Sequence, residues 1–188
     1  MTPEERVLAR LIEILEGLSI PYMLTGSVAS SYHGRPRSTH DADVVIDPSE
    51  DALAGLVAAV ERAGFYVSAD GAREALARRR QFNVIDTEEA CKVDLIIRKE
   101  RPFSIEEFAR RRRVDLAFRA QVALVTAEDS IVSKLEWASR SEDPSRQLAD
   151  IAGILEVQTS LDHAYIERWA TELGLTALWA RARRAQGG

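Results

Sequence analysis

The sequence predicts an α/β chain: a small mixed β-sheet flanked by helices, followed by a C-terminal helical bundle. Three observations carry that expectation. Up to residue 125, amphipathic stretches of helical period alternate with short apolar runs of strand length. Residues 82–85 and 90–97 flank the polar turn Asp86-Thr87-Glu88-Glu89, the pattern of a β-hairpin. From Thr126 onward only helical patterns remain, with no flexible linker before them. The expected division is residues 1–125 as the core and residues 126–188 as a helical subdomain packed on it.

Taken in order, residues 2–17 read as a helix. Thr2 suits the N-cap, Pro3 the first helical position, and Glu5 completes a capping box ahead of the stripe Val7, Leu8, Leu11, Ile12 and Leu15. Residues 22–24 form a short apolar strand, ended by Thr25-Gly26-Ser27. Ser27 sits where an N-cap should sit, residues 29–32 form a short helix, and Gly34 closes it. A basic loop, Arg35-Pro36-Arg37-Ser38-Thr39-His40, leads into a strand over residues 41–46. Asp47, Pro48 and Glu50 then open a helix as N-cap, N1 and N3, Leu53, Leu56 and Val60 lie on its buried face, and Gly64 ends it. Residues 65–67 are a short strand and residues 72–80 a helix with a basic end. In the second hairpin strand Val93, Leu95 and Ile97 face one way and Asp94 the other. Ser104 and Glu107 box a short helix, and residues 114–118 and 122–125 alternate like paired strands. Four helices complete the chain, over residues 127–140, 144–158, 162–173 and 176–184, with Asp143-Pro144 starting the second. Trp169 and Trp179 mark a face for the core or for a dimer contact.

Composition narrows the class. At 188 residues the chain suits one domain, or one with a helical appendage, and 46% apolar content supports a packed core. A lone cysteine, Cys91, excludes an intrachain disulfide and fits a reducing cytoplasm. The charged, amphipathic N-terminus lacks the apolar segment of a signal peptide, and no apolar run is long enough to span a bilayer. A cytoplasmic protein without a membrane partner is therefore expected. The net charge of −5 argues against a general nucleic-acid coat.

The chemistry concentrates between Tyr22 and Asp47. Asp41 and Asp43 are one residue apart on a strand, so both carboxylates project from one face. Two carboxylates side by side repel unless a cation joins them, and a hard divalent ion such as magnesium meets that need. The Gly26-Ser27 turn offers backbone N–H groups to a phosphate at a helix start. Asp94, an acid within an apolar strand, needs a partner of its own. Arg35 and Arg37 suit bidentate phosphate contact, or are ordinary exposed loop arginines. Asp47 shares the parity of Asp41 and Asp43, but capping explains it. His33 and His40 read as hydrogen-bonding or solvated residues rather than metal ligands. The runs 78–80 and 110–113 read as solvated helix ends, with contact to an RNA or nucleotide backbone as the other reading.

The apolar-Gly-Ser turn, thirteen further residues and then Asp-x-Asp on an apolar strand, with Asp94 as a later acid, resemble the DNA polymerase β-like nucleotidyltransferase superfamily. Downstream, Lys134-Leu135, Arg146 and Asp150-Ile151 resemble its AbiEii-like branch, which includes toxins of bacterial toxin–antitoxin and phage-defence systems. The resemblance implies that Asp41, Asp43 and Asp94 hold magnesium, two ions, with manganese as a substitute. It implies that Gly26 and Ser27 hold the outer phosphates of an NTP, and that Lys134 binds nucleotide phosphate while Asp150 orients Lys134 or the substrate. Lys134 and Asp150 also read as an interhelical ion pair. The implied activity moves an NMP to a hydroxyl on an RNA end such as tRNA, on a protein, or on a small molecule. A cognate antitoxin is the implied protein partner. The alternative is a nucleotide- or partner-binding module that keeps the fold without turnover.

Overall fold

The computed structural model describes residues 1–36 and 42–184. In chain order the elements are α1 (Pro3–Gly17), β1 (Tyr22–Thr25), α2 (Gly26–His33), β2 (Ala42–Ile46), α3 (Glu50–Arg62), β3 (Phe65–Val67), α4 (Ala69–Arg78), β4 (Gln81–Asp86) and β5 (Lys92–Ile97). There follow α5 (Pro102–Arg110), β6 (Arg112–Leu116), β7 (Arg119–Leu124), α6 (Ala127–Arg140), α7 (Ser145–Val157), α8 (His163–Glu172) and α9 (Thr176–Arg184). The expected α/β class is the observed one. The described residues fall into two compact units, residues 1–25 with 42–124, and residues 26–36 with 125–184.

The first unit holds a seven-stranded mixed sheet in the order β3-β4-β5-β2-β1-β7-β6. β2 runs parallel to β5 and β1 parallel to β7, while the other neighbours are antiparallel. Alternation sets the faces: Val44, Ile46, Val84, Val93, Leu95 and Ile97 are buried, while Asp43, Asn83 and Asp94 occupy the intervening positions. α3 packs on β3 and α4 on β4. α1 brings Leu11, Ile12 and Leu15 into the core, fully buried. Burying each such side chain is worth about 1.5–3 kcal/mol, so this stripe is what fixes the helix.

Helix ends follow local chemistry, not always at the residues expected. The Thr2/Glu5 capping box of α1 is present. α3, however, is capped by Ser49, whose hydroxyl accepts from the Ala52 amide, not by Asp47. Asp47 instead accepts from Arg98 at 2.8 Å and Arg79 at 3.4 Å. α4 starts three residues earlier than expected, because Ser68 caps it. Ser104 does not cap α5: it lies inside the helix, buried, and accepts from Arg101. α7 begins at Ser145, with Asp143 accepting from the Ser145 amide, one residue later than an Asp143 cap with Pro144 inside.

The second unit packs α2 against α6 and α7, with α8 and α9 completing the bundle. Trp169 and Trp179 are both buried and belong to its core. Just past α2 the backbone lies against α7. A Cβ added to Gly34 would come within 2.8 Å of the Gly153 carbonyl carbon and the Ile154 nitrogen, so glycine is required there. Buried Asp129 ties α6 to α8, accepting from Thr126 at 2.6 Å and from the Tyr165 hydroxyl.

Candidate active site

Sheet register places the first part of the site. Thr25 pairs with Asp43, Asp43 with Asp94, and Asp94 with Asn83, so four polar side chains form one row across β1, β2, β5 and β4. Directly paired residues point to the same face, and adjacent strands lie about 4.8 Å apart. Asp43 and Asp94 are thus neighbours across a parallel pair, both half-buried. Asp94, with its side chain 13% exposed, accepts from Asn83 Nδ2 on Oδ1 and lies 3.1 Å from Lys92 Nζ. Two adjacent hard carboxylates are the donor chemistry that magnesium or manganese takes. Among the described residues no three His, Cys, Asp or Glu side chains gather as a metal cluster. Asp41, the third expected carboxylate, lies outside the described residues, as do Arg37 and His40.

The second unit holds the remaining candidates. Gly26 adopts φ +61°, a conformation that favours glycine, and starts α2. Ser27 is therefore the second helical residue rather than the cap. It is buried, with Arg146 Nη2 3.4 Å from its hydroxyl. The first amides of α2 have no partner within the helix, as at any helix start. Arg35, fully on the surface, pairs with Glu156 of α7. Lys134 and Asp150 form an ion pair at 2.7 Å, with side chains only 8% and 9% exposed, and Gln147 Oε1 lies 3.4 Å from the same ammonium. His33 Nε2 donates to the Val125 carbonyl at 2.7 Å, and burial pushes its pKa down, so the ring is a neutral structural donor.

The basic runs serve structure at several points. Arg78 pairs with Glu74, Arg79 with Asp47 and Glu100, and Arg113 with Glu16, while Arg111 stacks 4.2 Å over Phe108.

Asn83 in the row and Lys92 beside it went unnoticed in the sequence. The signal was available: a hairpin fixes register, so pairing 84 with 93 puts Asn83 opposite Asp94, and Lys92 shares the parity of Asp94. Beside Asn83 a groove of about 420 Å³ opens, lined by Tyr66, Ser68, Glu74, Arg80 and Gln81 among others. β3 pairs with residues 84–86, and among the described residues no strand covers the outer edge of residues 81–83. Tyr66 is 61% exposed there.

No protein-family model and no curated protein matches the sequence. Solved structures do. The chain is similar to the solution structure of the antibiotic-resistance factor ANT(2'')-Ia, at TM-score 0.59 and 16% identity over 96% of this chain and 92% of that one. A crystal structure of ANT(2'')-Ia in complex with adenylyl-2''-tobramycin matches at TM-score 0.56 and 15% identity, over 98% and 99% of the two chains. An antigenic nucleotidyltransferase-like protein from Paracoccidioides brasiliensis matches at TM-score 0.60 and 16% identity, over 97% and 92%. The chain has the nucleotidyltransferase fold.

Proposed function

We propose that the chain is a metal-dependent nucleotidyltransferase that moves an NMP from an NTP to a hydroxyl acceptor. The observation that carries this reading is the register of Asp43 with Asp94 on adjacent parallel strands of a nucleotidyltransferase fold. Asp43 and Asp94, with Asp41, are the residues to hold magnesium, two ions by the family pattern, or manganese in its place. Held there, such ions would neutralise triphosphate charge and help the leaving group depart.

The chain's own groups do the rest. Gly26 and Ser27 offer amide N–H groups and a hydroxyl to the outer phosphates, at the positive end of α2. Arg35 and Arg37 add guanidinium donors, and Lys134, oriented by Asp150, adds an ammonium. Asp94 takes the proton of the acceptor hydroxyl, whose oxygen bonds to the α-phosphorus. The bond from that phosphorus to the bridging oxygen breaks, and pyrophosphate leaves. Asn83 keeps Asp94 aimed for that transfer.

The buried Lys134–Asp150 pair on neighbouring helices supports placement in the AbiEii-like branch, with a cytoplasmic toxin or defence role and a cognate antitoxin as partner. The acceptor is an RNA end such as tRNA, a protein hydroxyl or a small molecule. No described helix is long and apolar enough to cross a membrane.

The test is label transfer from each α-labelled NTP, with magnesium, to RNA, protein or small-molecule fractions. Transfer by the wild type and its loss in Asp43→Asn and in Asp94→Asn is expected. Magnesium-dependent nucleotide binding with no transfer to any fraction would favour the binding module instead.

A further inference from the structure

Lys92 has no part in the chemistry proposed above, yet it sits at the centre of it. It lies two residues before Asp94 on β5 and shares its face. Its ammonium is 3.1 Å from Asp94 Oδ1 and 3.3 Å from Oδ2, across the mouth of the carboxylate. That is the position a chelating cation takes on a carboxylate. Asn83 engages the same group from β4.

We propose that Lys92 is an ionic latch on Asp94: it supplies the counter-charge in the metal-free protein and must release the carboxylate before Asp94 can ligate a divalent cation. The inference rests on reading Asp43 and Asp94 as metal ligands. It makes Lys92 a positioning residue that sets metal affinity.

The two neighbours of Asp94 differ in the way a latch requires. Asn83 is neutral, short and anchored in a paired strand, so its hydrogen bond can persist beside a bound cation. Lys92 carries charge on a flexible four-carbon stem and is 42% exposed, so its ammonium can swing into water at small cost. Asp94, at 13% exposed on a central strand, cannot follow it. An ammonium and a divalent ion on one carboxylate repel at close range. Partial solvent exposure screens that repulsion without removing it. Without Lys92, two half-buried carboxylates in register stand side by side with less compensating charge, which raises their demand for a metal ion.

Manganese alone is the probe, with the free ion followed by electron paramagnetic resonance. Lys92→Met should bind manganese about three- to tenfold more tightly than the wild type at low salt, with the gap narrowing as salt rises. Lys92→Arg, which keeps the charge, should stay within about twofold of the wild type. Lys92→Gln serves as a second neutral variant, and thermal melting checks that each folds. Asp43→Asn is the control for the underlying reading. If Asp43→Asn loses manganese while both neutral Lys92 variants bind it as the wild type does or more weakly, the latch is overturned and the metal site stands. If manganese binding is indifferent to Asp43→Asn, both are overturned.

Discussion

Glu16 shows how much one surface network can shift a single group. Burial alone would raise its carboxyl pKa, but hydrogen bonds from Arg119, Tyr22 and Arg113 outweigh that and bring it to about 2. A folded-state pKa below the unfolded value of 4.5 stabilises the protein fully above that value. The contribution is lost as the pH falls from there through 2. In acid melts, Glu16→Gln should therefore lack the part of the stability loss that the wild type shows across this window. The side chain is 31% exposed, so screening keeps the effect moderate. His33 acts in a higher window. Burial depresses its pKa from 6.5, against the hydrogen bond to Val125. The unfolded chain thus binds a proton that the folded chain refuses, and stability falls as the pH drops below about 6.5. In His33→Gln that slope should flatten, as read by denaturant unfolding at a series of pH values. At this scale the sequence revealed polarity and parity but not partners. Asp94 was visible as an acid in an apolar strand, whereas Asp47 looked like a cap and proved to be an ion-pair acceptor. Its partners, Arg79 and Arg98, lie far along the chain, where local rules do not reach.

Among the elements, α2 and α7 make the tightest test. Gly34→Ala would drive a methyl into the backbone of Gly153 and Ile154, and backbone cannot step aside as a side chain can. A loss of about 1–3 kcal/mol is expected by chemical denaturation. Between α6 and α7, Lys134→Met would remove one partner of a buried ion pair, at a cost of about 3–5 kcal/mol. The double variant Lys134→Met/Asp150→Leu should recover most of that loss, because it removes both charges together. Recovered stability without recovered transfer would separate the pair's structural role from its proposed catalytic one. Helix and strand existence was legible because the periods are strong: α6 and α9 span the very residues that their apolar stripes mark. Boundaries were less so. Ser49 won a cap that Asp47 and Pro48 seemed to claim, and Ser68 capped a helix whose start was expected three residues later, since a serine hydroxyl at the right backbone angle satisfies an amide wherever it stands.

For the molecule, pattern and periodicity reached the α/β class but not the strand order, which depends on pairings between segments distant in sequence. β2 runs beside β5 rather than next to its chain neighbour β3, and this is what brings Asp43 opposite Asp94. The open edge of β4 then extends the row into the groove beside Asn83. Glu74 in that groove is paired with Arg78, and Arg80 contributes a further cation.

The measurement that goes to the centre is anomalous diffraction from crystals grown with manganese and a non-hydrolysable NTP. Manganese peaks within bonding distance of Asp43 and Asp94 carboxylate oxygens, with the triphosphate on the same ions, are the predicted result. Nucleotide bound with no manganese at either aspartate would contradict the account.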